Sequence, residues 1–307
     1  METRNTPSTD SPFNKYEGIK TCIFESWKQF ALHTATFTKN LGMHLLIAAV
    51  GFALFTVEGG AFYTQYIQPS QTYIEAGINQ QVAQAIFSPS WASVGLLLVA
   101  TLAALLAFYL FQGAVTTQVR FFQATGSLAE TGPFTFWREI RKDGIKQLVF
   151  DLTFGVVFAL LAALIGTLAW KTSPWVALIL VPIFLYWSII CTAGKLSYTL
   201  GHAKLSQALP YAFRLGHHKF GGYFILLLLT SIPLLLVAYT VFLPVVVFHL
   251  AESANCISTL IGDPSGIAPY VLPLHLLTAT AAFLIFGLVQ SLQLWTFALY
   301  TKAHSRL

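Results

Sequence analysis

Six long apolar stretches limit what this chain can fold into. They lie at about 41–63, 92–115, 148–170, 175–194, 222–249 and 272–294. A helix needs about 20 apolar residues to cross the hydrocarbon core of a bilayer, which is about 30 Å thick. Helices satisfy their own backbone hydrogen bonds, so they can cross lipid. The sequence therefore predicts an all-α, polytopic membrane protein with six transmembrane helices in three hairpins.

The composition supports this prediction. Hydrophobic residues make up 56% of the chain and charged residues 9%, whereas a soluble domain carries about 25% charged residues. A soluble fold of this length could not cover so much apolar surface, but lipid can.

The basic residues alternate between the connections. Sixteen of the 17 Lys and Arg residues lie before the first stretch, between the second and third, between the fourth and fifth, or after the sixth, and the other one is Lys171. Because basic residues stay on the cytoplasmic side, both termini are predicted to be cytoplasmic. The net charge of +5 then reflects topology, and we expect no nucleic-acid partner.

The chain divides into a tail and a membrane domain. Residues 1–18 are rich in Thr, Ser, Pro and Asn, a composition that predicts a disordered cytoplasmic tail. Residues 19–307 form the predicted six-helix domain. Within it, apolar residues recur at helical spacing from about 19 to 40, with lysines among them. This pattern predicts an amphipathic helix on the inner membrane surface.

Three short segments indicate an internal repeat. Residues 37–40 (Phe-Thr-Lys-Asn), 140–143 (Ile-Arg-Lys-Asp) and 215–218 (Leu-Gly-His-His) each precede an apolar stretch and follow an aromatic cluster. One interpretation is three repeat-like units at about 19–122, 123–198 and 199–303, each an interfacial amphipathic helix and a hairpin. The other is that any basic segment before a membrane helix has this appearance.

Two stretches of the sequence resemble those of other membrane proteins. The run Ile-Gly-Asp-Pro-Ser-Gly at 261–266 and the run Phe-Arg-Leu-Gly at 213–216 look similar to those of a loose group of uncharacterised six-helix bacterial inner-membrane proteins with an amphipathic helix before each hairpin. The resemblance implies a bacterial inner (cytoplasmic) membrane. It supplies no substrate and no functional residue.

No catalytic motif is visible. The chain has no P-loop, HExxH zinc motif, nucleophile elbow or dinucleotide-binding glycine motif. Its three cysteines, Cys22, Cys191 and Cys256, lie far apart without a CxxC pair, which is typical of structural thiols. We therefore expect no catalytic residue, no cofactor and no metal ligand.

Polar residues within the apolar stretches are the best functional signal in a membrane sequence. Glu58 and Asp151 lie near the ends of predicted helices. Each is either an interfacial carboxylate, in the case of Asp151 paired with Lys146 or Gln147, or part of a polar cavity. Gln290 either hydrogen-bonds between helices or lines a pathway.

A basic cluster is predicted to contact lipid. Arg138, Arg141 and Lys142 follow Trp137 closely, so an aromatic side could enter the headgroup region while a basic side meets anionic lipid headgroups. The alternative is that these charges only set the orientation of the chain in the membrane.

These observations leave three functions open. The first is a non-enzymatic membrane protein that acts through lipid or a membrane-protein partner. The second is a transporter or channel for a small or amphipathic solute, against which the lack of charges in mid-helix counts. The third is an intramembrane enzyme acting on lipid, for which His249, Glu252 and His275 form the candidate cluster.

Overall fold

The computed structural model describes residues 18–126, 128, 135–171, 174–201, 204–262 and 271–304, and their regular structure is entirely helical. The predicted disordered tail, except for Gly18, and the Asp-Pro-Ser-Gly segment at 263–266 lie outside the described residues.

Ten α-helices follow one another in this part of the chain. They are α1 (Ile19–Leu32), α2 (Thr34–Phe62), α3 (Gln68–Glu75), α4 (Gln80–Ile86), α5 (Trp91–Thr125), α6 (Trp137–Lys171), α7 (Leu180–Leu200), α8 (Leu205–His218), α9 (Phe220–Leu260) and α10 (Val271–His304). A π-helical turn, Tyr63–Ile67, joins α2 to α3, and a 3₁₀ segment, Pro174–Ile179, precedes α7.

Five helical segments of the described chain are long and apolar enough to cross a membrane. They are Thr34–Glu75, Trp91–Thr125, Trp137–Thr167, Phe220–Leu260 and Val271–His304. The described part of the chain is therefore all-helical, with five helices that could span a membrane, as expected of a multi-pass membrane protein. The predicted span at 175–194 falls on the 3₁₀ segment and α7, which are not among the five, so the sixth span stays a prediction.

The helices extend beyond the predicted spans. α5 and α6 have 35 residues each and α9 has 41, so at 1.5 Å per residue they are about 50–60 Å long. Arg120, expected in a loop, lies in α5, and the basic cluster at 138–142 forms the first turns of α6. Their side chains are therefore held on defined helical faces.

Two of the three predicted interfacial segments are separate short helices. α1 lies before α2, and α8 lies before α9, whereas the basic segment before the third predicted span is continuous with α6. On α1, Cys22 and Ser26 are buried on one face, and the Ser26 hydroxyl donates a hydrogen bond to the Cys22 carbonyl at 2.7 Å. Burial raises the pKa of the Cys22 thiol to about 12, so this thiol stays protonated and unreactive at neutral pH.

The chain folds into two compact units. Unit 1 comprises Met1–Asn40, Gln112–Ser231 and Ser291–Leu307, and unit 2 comprises Leu41–Phe111 and Ile232–Gln290. The boundaries fall inside α2, α5, α9 and α10. The predicted threefold repeat stays a prediction.

In unit 1, α5 and α6 approach each other closely at two glycines. A Cβ atom on Gly113 would lie 2.8 Å from the Gly144 nitrogen and closer still to the Ile140 carbonyl oxygen. Contact between backbones is what small residues provide in membrane helix packing. A second contact region, formed by α6, α7 and α8, contains Phe150, Ile190 and Ala212 among its buried residues.

In unit 2, α2 packs against α5 through small residues. A Cβ on Gly51 would lie 3.3 Å from the Cα of Ala104 and 3.5 Å from the Cβ of Ala107, and both alanines are buried. By contrast, the small-residue stripe of Gly155, Ala159 and Ala163 in α6 is exposed. Small residues in these apolar helices thus lie in a helix contact in one case and on an exposed face in the other.

We expect Gly113→Ala to destabilise the protein and Gly155→Ala not to. Alanine is favoured over glycine in a helix by about 1 kcal/mol, so Gly155, which has open space around it, should tolerate the change. At Gly113 the added methyl group must push the α6 backbone away, and such overpacking costs about 1–3 kcal/mol. Thermal unfolding of the two purified variants in detergent measures the difference. Equal melting temperatures would show that the α5–α6 contact does not depend on Gly113.

Candidate functional site

A buried ion pair lies between α5 and α6. Asp143 is fully buried, and the Arg120 guanidinium pairs with its Oδ2 atom. The Thr117 hydroxyl donates to the same oxygen at 3.0 Å, and Arg120 also donates to the Thr199 carbonyl at 3.3 Å. A buried carboxylate is tolerated only where a counter-charge and hydrogen bonds replace its water. These groups supply both to Oδ2, whereas Oδ1 has no hydrogen-bond partner among the described residues.

A second ion pair joins α6 to α7. The Lys195 ammonium lies 3.1 Å from Asp151 Oδ2 and 3.5 Å from the Gln112 side-chain oxygen. For Asp151 the sequence leaves open an interfacial pairing with Lys146 or Gln147 and a place in a polar cavity, and it does not indicate Lys195. Gln147 instead donates to the Thr116 hydroxyl of α5 at 3.1 Å.

The polar residues of these three helices form one continuous stripe. Its members recur every four residues on each helix, at positions 112, 116 and 120 in α5, 143, 147 and 151 in α6, and 195 and 199 in α7. Four-residue spacing keeps side chains on one helical face. This four-residue spacing could have revealed the polar stripe from the sequence alone. The stripe places charged side chains in the interior of unit 1.

A basic pocket lies beside α8 in unit 1. It has a volume of about 840 Å³, and its described lining residues are Tyr211, Arg214, Leu215, His217, His218, Lys219, Ala303 and His304. None of these is a carboxylate. Two full positive charges and three imidazoles therefore face one cavity, which suits a negatively charged group.

A His–Glu–His cluster lies in unit 2. His249 and Glu252 are three residues apart on α9, and His275 comes from α10. The His275 Nδ1 atom lies 3.1 Å from Glu252 Oε1, and the His249 Nδ1 atom lies 3.6 Å from Glu252 Oε2. His275 is fully buried, and its Nε2 atom has no hydrogen-bond partner among the described residues.

The other residues singled out from the sequence lie elsewhere. Glu58 in α2 and Gln290 in α10 are half-buried. Neither residue belongs to the polar stripe, the basic pocket or the His–Glu–His cluster. Gln293, one turn beyond Gln290, donates to the Thr230 and Ser231 hydroxyls of α9 at 3.0 and 3.3 Å. Gln293 thus hydrogen-bonds between α10 and α9, and the role of Gln290 stays a prediction.

The three basic residues of α6 are exposed. Arg138, Arg141 and Lys142 lie on the face opposite the buried residues Ile140 and Asp143. Among the described residues, no carboxylate lies within ion-pair distance of these three side chains.

Comparison with models of protein families, with curated proteins and with solved structures finds no match to this chain. Its function has to be inferred from its own residues.

We expect Arg120→Gln to destabilise the protein more than Lys195→Gln. Removing Arg120 leaves the fully buried Asp143 carboxylate without its counter-charge, which costs about 3–5 kcal/mol. Asp151 is 26% exposed, so water can compensate for much of the loss of Lys195. Thermal unfolding in detergent measures both changes. The double variant Arg120→Leu/Asp143→Leu should recover part of the loss, since no unpaired charge remains, and a double variant less stable than Arg120→Gln would contradict this account.

Proposed function

We propose that this chain is a six-span protein of a bacterial inner membrane, with both termini in the cytoplasm, that acts without catalysis by binding anionic lipid headgroups. The observation that carries the proposal is the basic pocket. Its arginine offers a planar fork of donors for a phosphate group, and its lysine offers a compact point charge. Charge-assisted hydrogen bonds of this kind are about twice as strong as neutral ones.

The amphipathic helix α1 supports the same function. Phe24 and Trp27 are 69% and 54% exposed, and Lys20 and Lys28 are exposed on the same helical face. A soluble protein would bury such aromatic side chains. At a membrane surface they can enter the headgroup region while the lysine ammonium groups reach toward lipid phosphates.

The start of α6 has a similar composition. Trp137 is partly exposed beside the exposed Arg138, Arg141 and Lys142. Each Lys or Arg near an anionic surface contributes about 1 kcal/mol of attraction. These groups belong to the connections predicted to be cytoplasmic, so a single leaflet would supply their lipid.

A second candidate function is transport of a small solute, which the polar stripe favours. Ion-coupled transport requires charged groups inside a helical bundle, and Asp143, Asp151 and Lys195 supply them. Flux measured in proteoliposomes tests this candidate, and flux no faster than in protein-free liposomes would remove it.

Reporter fusions test the predicted topology. Because the cytoplasmic connections hold 16 of the 17 basic residues, reporters fused after Leu307 or Gly126 should remain cytoplasmic. A reporter fused after Glu75 should be exported. An exported reporter at Leu307 would contradict the predicted topology, since either the orientation or the even number of spans would then be wrong.

Native mass spectrometry tests lipid binding. We expect Arg214→Gln/Lys219→Gln to lose most of the phosphatidylglycerol that the purified wild-type protein retains, because the pocket then lacks both of its permanent charges. Binding of the zwitterionic phosphatidylethanolamine should change little. Lys171→Gln is the matched control, since Lys171 is an exposed basic residue at the C-terminal end of α6.

A further variant separates the pocket from the exposed basic face. Arg141→Gln/Lys142→Gln should release weakly held lipid but keep the lipid in the pocket, because these two side chains are not among the described lining residues of the basic pocket. If the Arg214/Lys219 double variant and the Lys171 control retain equal amounts of phosphatidylglycerol, the basic pocket is not a lipid site.

A further inference from the structure

The His–Glu–His cluster of unit 2 holds a set of groups that the lipid-binding proposal does not use. One ligand atom from each of the three residues can be chosen so that all three atoms lie within 4.8 Å of one another. Two imidazoles and a carboxylate are the ligand types that Zn²⁺ and neighbouring divalent transition metals prefer.

The distances agree with a metal centre. Ligands bound at 2.0–2.1 Å in a tetrahedron lie about 3.3 Å apart. The two Nδ1–carboxylate distances are 3.1 and 3.6 Å, and the two imidazole rings are nearly perpendicular, with centroids 4.6 Å apart. Small side-chain rotations would therefore bring all three ligands to one ion.

The surroundings hold the ligands in place. The Phe248 ring stacks on His275 with centroids 5.2 Å apart, which fixes the plane of this fully buried imidazole. Gly60 of α2 borders the other histidine, and a Cβ atom there would lie 2.5 Å from His249 Nδ1 and 3.5 Å from Glu252 Oε2. The absence of a side chain at position 60 therefore leaves space that His249 needs.

We infer that His249, Glu252 and His275 bind a divalent transition metal ion, of which Zn²⁺ is the representative, and that they leave a fourth coordination position open. Three protein ligands are the number found in zinc sites that keep a position for water or a small ligand. The inference is independent of the lipid-binding function, since the basic pocket belongs to unit 1 and this cluster to unit 2.

Zn²⁺ titration of the full-length protein tests the site. Protein purified in mild detergent and stripped with EDTA is titrated with Zn²⁺ in competition with a chromophoric chelator. The wild type should bind one Zn²⁺ per chain at this site. Glu252→Gln keeps the shape of the side chain but removes the ligand charge, and His249→Ala removes one nitrogen, so each should bind Zn²⁺ about tenfold more weakly or worse.

With Co²⁺ in place of Zn²⁺, the visible absorption of a tetrahedral centre should appear in the wild type and be lost in Glu252→Gln.

Two adjacent glycines supply a matched pair that leaves every ligand intact. Gly60→Ala should weaken Zn²⁺ binding because its methyl group displaces His249, whereas Gly59→Ala should bind as the wild type does, since nothing lies within 4 Å of its Cβ position. His33→Ala, which changes a half-buried histidine of unit 1 that is not among the described lining residues of the basic pocket, controls for adventitious binding by imidazole.

The alternative is that Glu252 only accepts hydrogen bonds from the two imidazoles. In that case the wild type would bind no stoichiometric Zn²⁺, or Glu252→Gln and Gly60→Ala would bind it as tightly as the wild type, and either result overturns the inference. If Glu252→Gln does not fold, the comparison of Gly60→Ala with Gly59→Ala decides.

Discussion

Asp143 has no contact with water, and the pairing with Arg120 is what makes its position in α6 tolerable. A buried carboxylate without a partner would be among the most unfavourable groups in the protein, so α5 and α6 can pack only in a register that brings these two residues together. The close approach at Gly113 follows from the same register. Through Asp151 and Lys195, the polar stripe then fixes α7 against α6. Apolar helix faces are interchangeable in lipid, whereas such polar contacts select one arrangement.

The rule that a charged group must be either paired or solvated also explains where the other charges lie. Arg138, Arg141 and Lys142 share the first turns of α6 with Asp143 but lie on its exposed face, where water or lipid headgroups can solvate them. The basic pocket is lined by Arg214 and Lys219 from α8 and its C-terminal end, and by His304 from the distant end of α10. Cations that converge on a cavity repel one another unless an anion lies between them. This repulsion is the physical reason for assigning an anionic headgroup to the pocket.

In unit 2, the His–Glu–His cluster likewise places polar groups in the protein interior, where each needs a partner. His275 is fully buried, its Nε2 atom has no partner among the described residues, and both histidines face the same carboxylate. Either the carboxylate only orients the two rings or a cation is shared by all three groups. The glycine beside His249 and the phenylalanine stacked on His275 keep the three groups together in both cases.

The sequence by itself determined that the chain forms helices and that several of them are long and apolar enough to cross a membrane, because a span requires apolar length and internally satisfied backbone hydrogen bonds. It also indicated Asp151 and the His249, Glu252 and His275 group, since charged residues are rare in such stretches. Only the tertiary structure decided that Asp151 pairs with Lys195, that Gly155 is exposed while Ala104 is buried, and that α8 and the end of α10 enclose a basic pocket. Spacing along one helix defines which residues share a face, but the helix that this face meets depends on packing between segments far apart in the chain.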